Sequence, residues 1–344
     1  MSRYSSLLAQ QYSCQHVVVT NSGTSAIEVA MRACGAMEGV TVLAPSMMPV
    51  MTYLPMKSIG CRVVAYSFGD KVLAPCIAQL SEIDPATAPP GTILITLPWW
   101  GYRYDWAATR RLVDSRGWFW VEDAAHAQGS SPNMADGDCP DLLCASTHDR
   151  KLISTGEGGY VCTNSADLGR KAASWASYGG YPETTDDLDL GFEAGANLRL
   201  SGMAAALGIA SVRNLPSVLD RRANAGAVLE EAARKLHHLH LMQRGPYPDF
   251  NYYGLVFLTE QEGDGLRVSN WLDRQGLQND VHEYRMRRIA DYPIASSVEI
   301  LEDRSHSIWS RVVCVSPHHG LTPEELTFVG ETLLAADDLL GGQA

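Results

Sequence analysis

Short apolar runs alternate with stretches of helical spacing along the first two thirds of the chain. Val17 to Thr20, Val40 to Ala44, Arg62 to Tyr66, Ile93 to Leu97 and Trp118 to Glu122 are apolar for most of their length. Runs of that kind suit strands buried on both faces of a mainly parallel sheet, where neither side meets water. Between them, Ile27, Ala30, Met31 and Cys34 fall on one helical face that Gly35 and Gly39 close. Asp105 to Arg116 reads as a second helix, with Asp105 as N-cap and Gly117 just past its end. Strand and helix in alternation predict a three-layer α/β domain.

The pattern continues with a strand at Tyr160 to Thr163 and a helix from Ser165, then gives way to a polar, acidic loop over residues 179 to 195. Two helices are expected next, one from Leu200 to Val212 and a longer one that starts at Pro216 and runs to about His237. Tyr252 to Leu258, Gly276 to Val281 and Val312 to Val315 read as strands, and Pro323 to Leu340 as a closing helix. A boundary near residue 215 divides the chain into a large unit, 1–215, and a smaller one, 216–344.

Composition narrows the class of protein. With 46% apolar and 19% charged residues in 344, the chain has ample material for a core, which excludes a disordered or coiled-coil protein. Its eight cysteines form no CxxC pair, so reduced thiols are expected rather than a disulfide framework or a structural metal site. The first residues hold no apolar stretch of signal-peptide length, and no 18 apolar residues run without a charge. A soluble, cytoplasmic protein is the expectation. A net charge of −12 opposes binding to nucleic acid, and the one basic knot, Tyr284 to Arg288, is too small to reverse it.

Three motifs carry candidate chemistry. Asn21-Ser22-Gly23-Thr24-Ser25 lies between a strand and a helix, where free N–H groups and the helix dipole suit a phosphate, although a Ser N-cap alone accounts for the same residues. Glu122-Asp123-Ala124-Ala125-His126 ends an apolar strand; an acid there suits a protonated pyridine nitrogen, or else a salt bridge or metal. Ser146-Thr147-His148-Asp149-Arg150-Lys151, followed by Gly156-Glu157-Gly158-Gly159, offers a lysine for Schiff-base chemistry, or a solvated charged turn. In this order the three fit pyridoxal 5'-phosphate (PLP), whose phosphate, pyridine nitrogen and aldehyde each find a partner.

These motifs, together with GANLRLS at 195 to 201 and PHHGLTPEEL at 317 to 326, make the chain resemble the DegT/DnrJ/StrS family of PLP-dependent aminotransferases. The resemblance runs from about residue 8 to the end. It implies fold type I: a large domain with a mainly parallel sheet and a smaller C-terminal α+β domain. Carried over residue by residue, it implies that Lys151 forms the Schiff base and moves the proton, and that Asp123 pairs with the pyridinium nitrogen. His126 would lie near the ring and its phenolic oxygen, while Gly23, Thr24, Ser25 and Ser146 would hold the phosphate. Asn197 would reach the cofactor of a neighbouring subunit, which implies a homodimer with shared active sites and no metal.

Several positions depart from the family pattern. Pro49 stands where an aromatic residue usually covers the ring, and Pro98-Trp99-Trp100-Gly101 replaces a His-Leu-Tyr-Gly stretch. Gly202 and Ala204 replace the acid and glutamine that usually follow the GxNxR motif, and the arm before the first helix is very short. These departures point to an unusual substrate. Trp99, Trp100, Tyr102 and Tyr104 could wall that substrate or simply pack, and Arg285, Arg287 and Arg288 could bind an anion or remain solvated. The expected activity is transfer of an amino group from glutamate or glutamine to a keto group of a sugar, cyclitol or related metabolite. Dehydration or cyclisation with the same cofactor is the alternative, opposed by retention of Lys151, and a non-catalytic binding protein is a second one.

Overall fold

The computed structural model describes residues 2–69, 72–130, 133–180, 194–244, 249–279, 287–301 and 305–342. An opening helix, α1 (Ser2–Tyr12), leads into β1 (His16–Thr20) and α2 (Gly23–Ala33). β2 (Thr41–Pro45), α3 (Val50–Ile59) and β3 (Arg62–Tyr66) follow, then a hairpin of β4 (Phe68–Gly69) and β5 (Val72–Pro75), and α4 (Ile77–Glu82). β6 (Ile93–Thr96), α5 (Trp106–Arg116), β7 (Phe119–Asp123), β8 (Leu142–Ser146), β9 (Gly159–Thr163) and α6 (Ala166–Ala176) complete the alternation. The eight-stranded sheet runs β1-β9-β8-β7-β6-β2-β3 and ends on β12 (Glu299–Ile300), parallel except where β9 pairs with its two neighbours. Every residue of β2, β6 and β9 is buried, as continuous apolar runs require of a sheet covered on both faces.

Local signals set the helix ends. Ser22, Asp105, Ser165, Ser201 and Thr322 each accept a backbone N–H from the first turn of the helix they precede. Gly117 takes the left-handed conformation that ends α5, as expected. The two helices expected on either side of Pro216 are instead one, α7 (Gly202–Ala233), with Pro216 inside it. Proline removes only one backbone bond, and Val212, Leu215 and Val218 are buried on both sides of it, so packing carries the helix through. At Gly208 of α7 a β-carbon would come within 2.5 Å of the Tyr4 ring, so α1 packs where that glycine leaves room.

A second, antiparallel sheet follows, in the order β10 (Leu239–Leu241), β11 (Leu255–Thr259) and β13 (Val312–Val315). α8 (Asp264–Arg274) and α10 (Pro323–Leu340) pack beside it, with the short α9 (Ser305–Trp309) leading into β13. Leu229, Leu255, Phe257, Leu272, Val313 and Leu333 form a hydrophobic core of their own here. The buried Asp337 carboxylate accepts the backbone N–H groups of His237, His238 and Leu239, tying α10 to the end of α7. No strand forms over Gly276 to Asn279, which are turn and irregular chain, and the rest of that expected strand lies outside the described residues. Residues 181–193 of the expected acidic loop lie outside them as well. Among the described residues no helix is long and apolar enough to cross a membrane, and all eight cysteines are free.

Successive residues at the end of β7 face opposite ways, as they must in a strand. Glu122 is buried against α5, where its carboxyl accepts Tyr104 Oη and Trp106 Nε1, the latter at 3.0 Å. Burial pushes this carboxyl up to about 7, although both donors pull it back. The folded protein then keeps a proton that the unfolded chain loses above about 4.5, so stability falls as pH rises from there to about 7. Glu122→Gln should abolish this loss. Between pH 4.5 and 7.5 the variant should gain up to about 3 kcal/mol relative to wild type in denaturant unfolding. A difference that stays constant with pH would show that Glu122 does not carry the effect.

Candidate active site

The carboxyl ends of the parallel strands and the start of α2 enclose a cavity of about 330 Å3. One wall is the first turn of α2, Ser22 to Thr24. Ser22 Oγ accepts Ser25 N at 3.0 Å and caps the helix, leaving other first-turn N–H groups and the positive end of the dipole at the cavity. Glycine is required at 23, because a β-carbon there would lie 2.6 Å from Ser146 Cβ. The absence of a side chain brings this turn against the end of β8, so Ser146 lines the same cavity.

Asp123, the last residue of β7, closes another side. Its Oδ2 accepts Thr52 Oγ1 at 2.8 Å and its Oδ1 accepts Ala125 N at 3.2 Å. Burial raises the carboxyl above its ordinary range; the Thr52 and Ala125 donors and the Lys151 charge oppose that and favour the carboxylate. His126 is also buried, and its cation is strongly disfavoured, first by burial and then by the charge on Lys151. The neutral ring lies parallel to that of Tyr253, with centroids 4.5 Å apart, and its Nδ1 accepts Trp100 N–H at 3.4 Å. With Nδ1 accepting, the proton sits on Nε2.

Lys151 follows a tight turn in which its own N–H donates to His148 O. Its Nζ donates to Tyr253 Oη at 3.2 Å and lies 5.1 Å from the centre of that ring. The turn is pinned by Gln128, whose Nε2 donates to Ser146 O and whose Oε1 accepts Ile153 N, both at 2.9 Å. A bond of 2.6 Å between the Thr147 and Thr155 hydroxyls closes the loop from the other side. Pro49, Met51, Ile27 and Ala125 give the cavity an apolar lining.

Gly23, Thr24, Asp123, His126, Ser146 and Lys151 therefore share one cavity. Ser25 is not on its wall; the hydroxyl donates to Asn21 Oδ1 at 2.7 Å and accepts Ser22 Oγ. Asn197 is exposed, away from this cavity, and accepts Arg199 Nε at 3.2 Å. Trp99, Trp100, Tyr102 and Tyr104 are buried, and none of them lines this cavity. Arg288 pairs with Asp291, and Arg285 lies outside the described residues. The sequence alone assigned no role to Thr52, Gln128 or Tyr253. They meet Asp123, Ile153 and Lys151 from other parts of the chain, and only Gln128 lies in a marked stretch, EDAAHAQG at 122 to 129.

The chain is 25% identical over 345 residues, covering 97% of it and 89% of the relative, to UDP-4-amino-4,6-dideoxy-N-acetyl-beta-L-altrosamine transaminase of Campylobacter jejuni. It is 23% identical over 268 residues to GDP-perosamine synthase of Escherichia coli O157:H7, covering 78% of this chain and 72% of that one. In fold it matches the E. coli GDP-4-keto-6-deoxy-D-mannose-3-dehydratase structure with bound hydrated PLP, with a TM-score of 0.81 at 16% identity, covering 96% and 91% of the two chains. The model of the DegT/DnrJ/EryC1/StrS aminotransferase family matches residues 2–334, and the chain belongs to that family.

Proposed function

We propose that this chain is a PLP-dependent aminotransferase that moves an amino group from glutamate or glutamine to a keto group on a sugar, cyclitol or related metabolite. The observation that carries this reading is a lysine, a buried acid and a helix N-terminus on the walls of a single cavity. The donor set fits PLP: N–H groups and hydroxyls for a dianion, a carboxylate for a ring nitrogen, an amine for an aldehyde. The family and the amino-sugar names of the two relatives support the reaction class, and the dehydratase neighbour with bound PLP supports the cofactor.

When bound, PLP supplies an electron sink for charge that develops on the substrate carbon. The protein supplies the rest. Gly23, Thr24 and Ser146 would hold the phosphate at the start of α2, where the dipole offsets the net negative charge of the chain. Ser25 acts one step back, through Ser22 and Asn21. Asp123, whose carboxylate form Thr52 favours, would hold the proton on the ring nitrogen. His126, with Nδ1 taken by Trp100 N–H, would offer its Nε2–H as a neutral donor to the ring's oxygen. Lys151 would bind the aldehyde and carry the proton between carbon atoms.

A homodimer completes the site in this reading, with Asn197 reaching the phosphate bound by a second copy. Its exposure supports that role, as do the exposed Met203 and Leu207 on the nearby first turns of α7. The cytoplasm is the proposed location, where eight free thiols stay reduced.

Purified protein given a glutamate or glutamine labelled with 15N should pass the label to a keto-sugar or keto-cyclitol product. Lys151→Ala should lose the visible absorbance of the bound cofactor and on the order of 10²–10⁴-fold in rate. Loss of water without nitrogen transfer would favour a dehydratase. Thr52→Val removes a donor that favours the Asp123 carboxylate, so loss of cofactor affinity on acidification should begin at higher pH; an unchanged profile would exclude the coupling. For the shared site, the test mixes Lys151→Ala and Asn197→Ala chains, each inactive alone. Half the dimers then carry one intact site, and activity should return to about a quarter of wild type. No recovery after mixing would rule out sharing.

A further inference from the structure

We infer that Tyr253, contributed by the C-terminal part of the chain, is a catalytic residue whose hydroxyl holds the Lys151 amine whenever that amine is not bonded to the cofactor. The inference rests on Lys151 being the reacting lysine. Its geometric basis is the 3.2 Å bond from Lys151 Nζ to Tyr253 Oη, with the amine also 5.1 Å from the ring centre. Both contacts favour a cation: the hydroxyl oxygen accepts an ammonium N–H, and the ring face attracts positive charge. A lysine that has just taken a proton from substrate carbon is such a cation. Tyr253 thus stabilises the lysine in the form that must next return the proton, and keeps it at the cavity wall.

The surroundings of Tyr253 fix its ring firmly. Asn251 is fully buried; its Nδ2 donates to His126 O and Gln128 O, and its Oδ1 accepts Tyr253 N, each at 2.9 Å. The three bonds lock the approach to β11 onto the loop that carries His126. Arg222 of α7 donates to Tyr252 O at 2.7 Å, and Ser316 Oγ donates to Tyr253 O at 3.0 Å. Tyr252 adopts the left-handed backbone, φ 50°, that residues with side chains seldom take. Its ring lies over Gly226, where a β-carbon would come within 2.1 Å. A strained residue held from both sides fixes where the next side chain points. Tyr253 then stacks on His126 and meets Lys151, linking the two residues through one ring.

The charged and titratable groups around the amine are Asp123, His126, His148, Asp149, Arg150, Glu157 and Arg222. Tyr253→Phe leaves all of them, and the stacked ring, in place. The test is the rate of acetylation of Lys151 by acetic anhydride against pH, read by peptide mass spectrometry in cofactor-free protein. Without the acceptor the ammonium is less stable, so the pH midpoint of Lys151 should fall by about one unit. Lys57, Lys171 and Lys235 should keep theirs. In the loaded enzyme kcat should drop roughly tenfold with KM little changed. An unmoved Lys151 midpoint in a folded variant would overturn the assignment. Should the variant not fold, a crystal structure of the cofactor-free wild type decides instead, and an Nζ–Oη separation beyond hydrogen-bond distance overturns it. Failure of the aminotransferase reading would appear separately, as absence of 15N transfer in wild type with the Lys151 midpoint shift intact.

Discussion

A carboxylate at the end of a strand buried on both faces must find donors, and much of this site is arranged around that demand. Asp123 meets it with a hydroxyl from α3 and an N–H from its own turn. Its neighbour Glu122 meets it on the opposite side with a phenol and an indole. The two acids differ only in what they face: Glu122 is enclosed by α5 and has no ligand to meet, whereas Asp123 opens on a cavity. One strand end therefore carries an enclosed acid and one on a cavity wall, separated by the pleat.

The chemistry around Asp123 is held by side-chain amides that bind backbone. Gln128 spans β8 and the lysine turn, and Asn251 spans the His126 loop and the approach to β11. Both are buried, so both must satisfy their amide groups internally, and in doing so each fixes a loop that has no regular ladder of its own. Asn251 also explains Gly101, where a β-carbon would lie 2.1 Å from its Oδ1. These contacts join the two sheets beside the cavity, where the approach to β11 meets the His126 loop.

Much of the large sheet was legible because its strands are buried on both faces and leave an unbroken apolar signature; Arg62 to Tyr66 agrees residue for residue with β3. Ends with a capping side chain were legible too, at Asp105, Ser165 and the closing helix from Pro323 to Leu340. The break at Pro216 misled, because local propensity is weaker than the packing of Val212, Leu215 and Val218. The aromatic stretch Trp99 to Tyr104 left a substrate wall and packing both open for a related reason. Composition marks large rings but not which way they face, and here they turn inward, Trp100 through a left-handed backbone.

The sequence by itself determined the order of the chemical parts: a phosphate-type helix start, an acid at a strand end and a lysine in a glycine-bounded turn, each set by contacts within a few residues. Only the tertiary structure decided what surrounds them. Thr52 on Asp123, Gln128 beneath the lysine turn and Tyr253 against both His126 and Lys151 come from residues far apart in the chain. Such pairs leave no periodicity and no motif, because a hydrogen bond between distant residues is fixed by how the layers pack and not by the residues on either side of its partners.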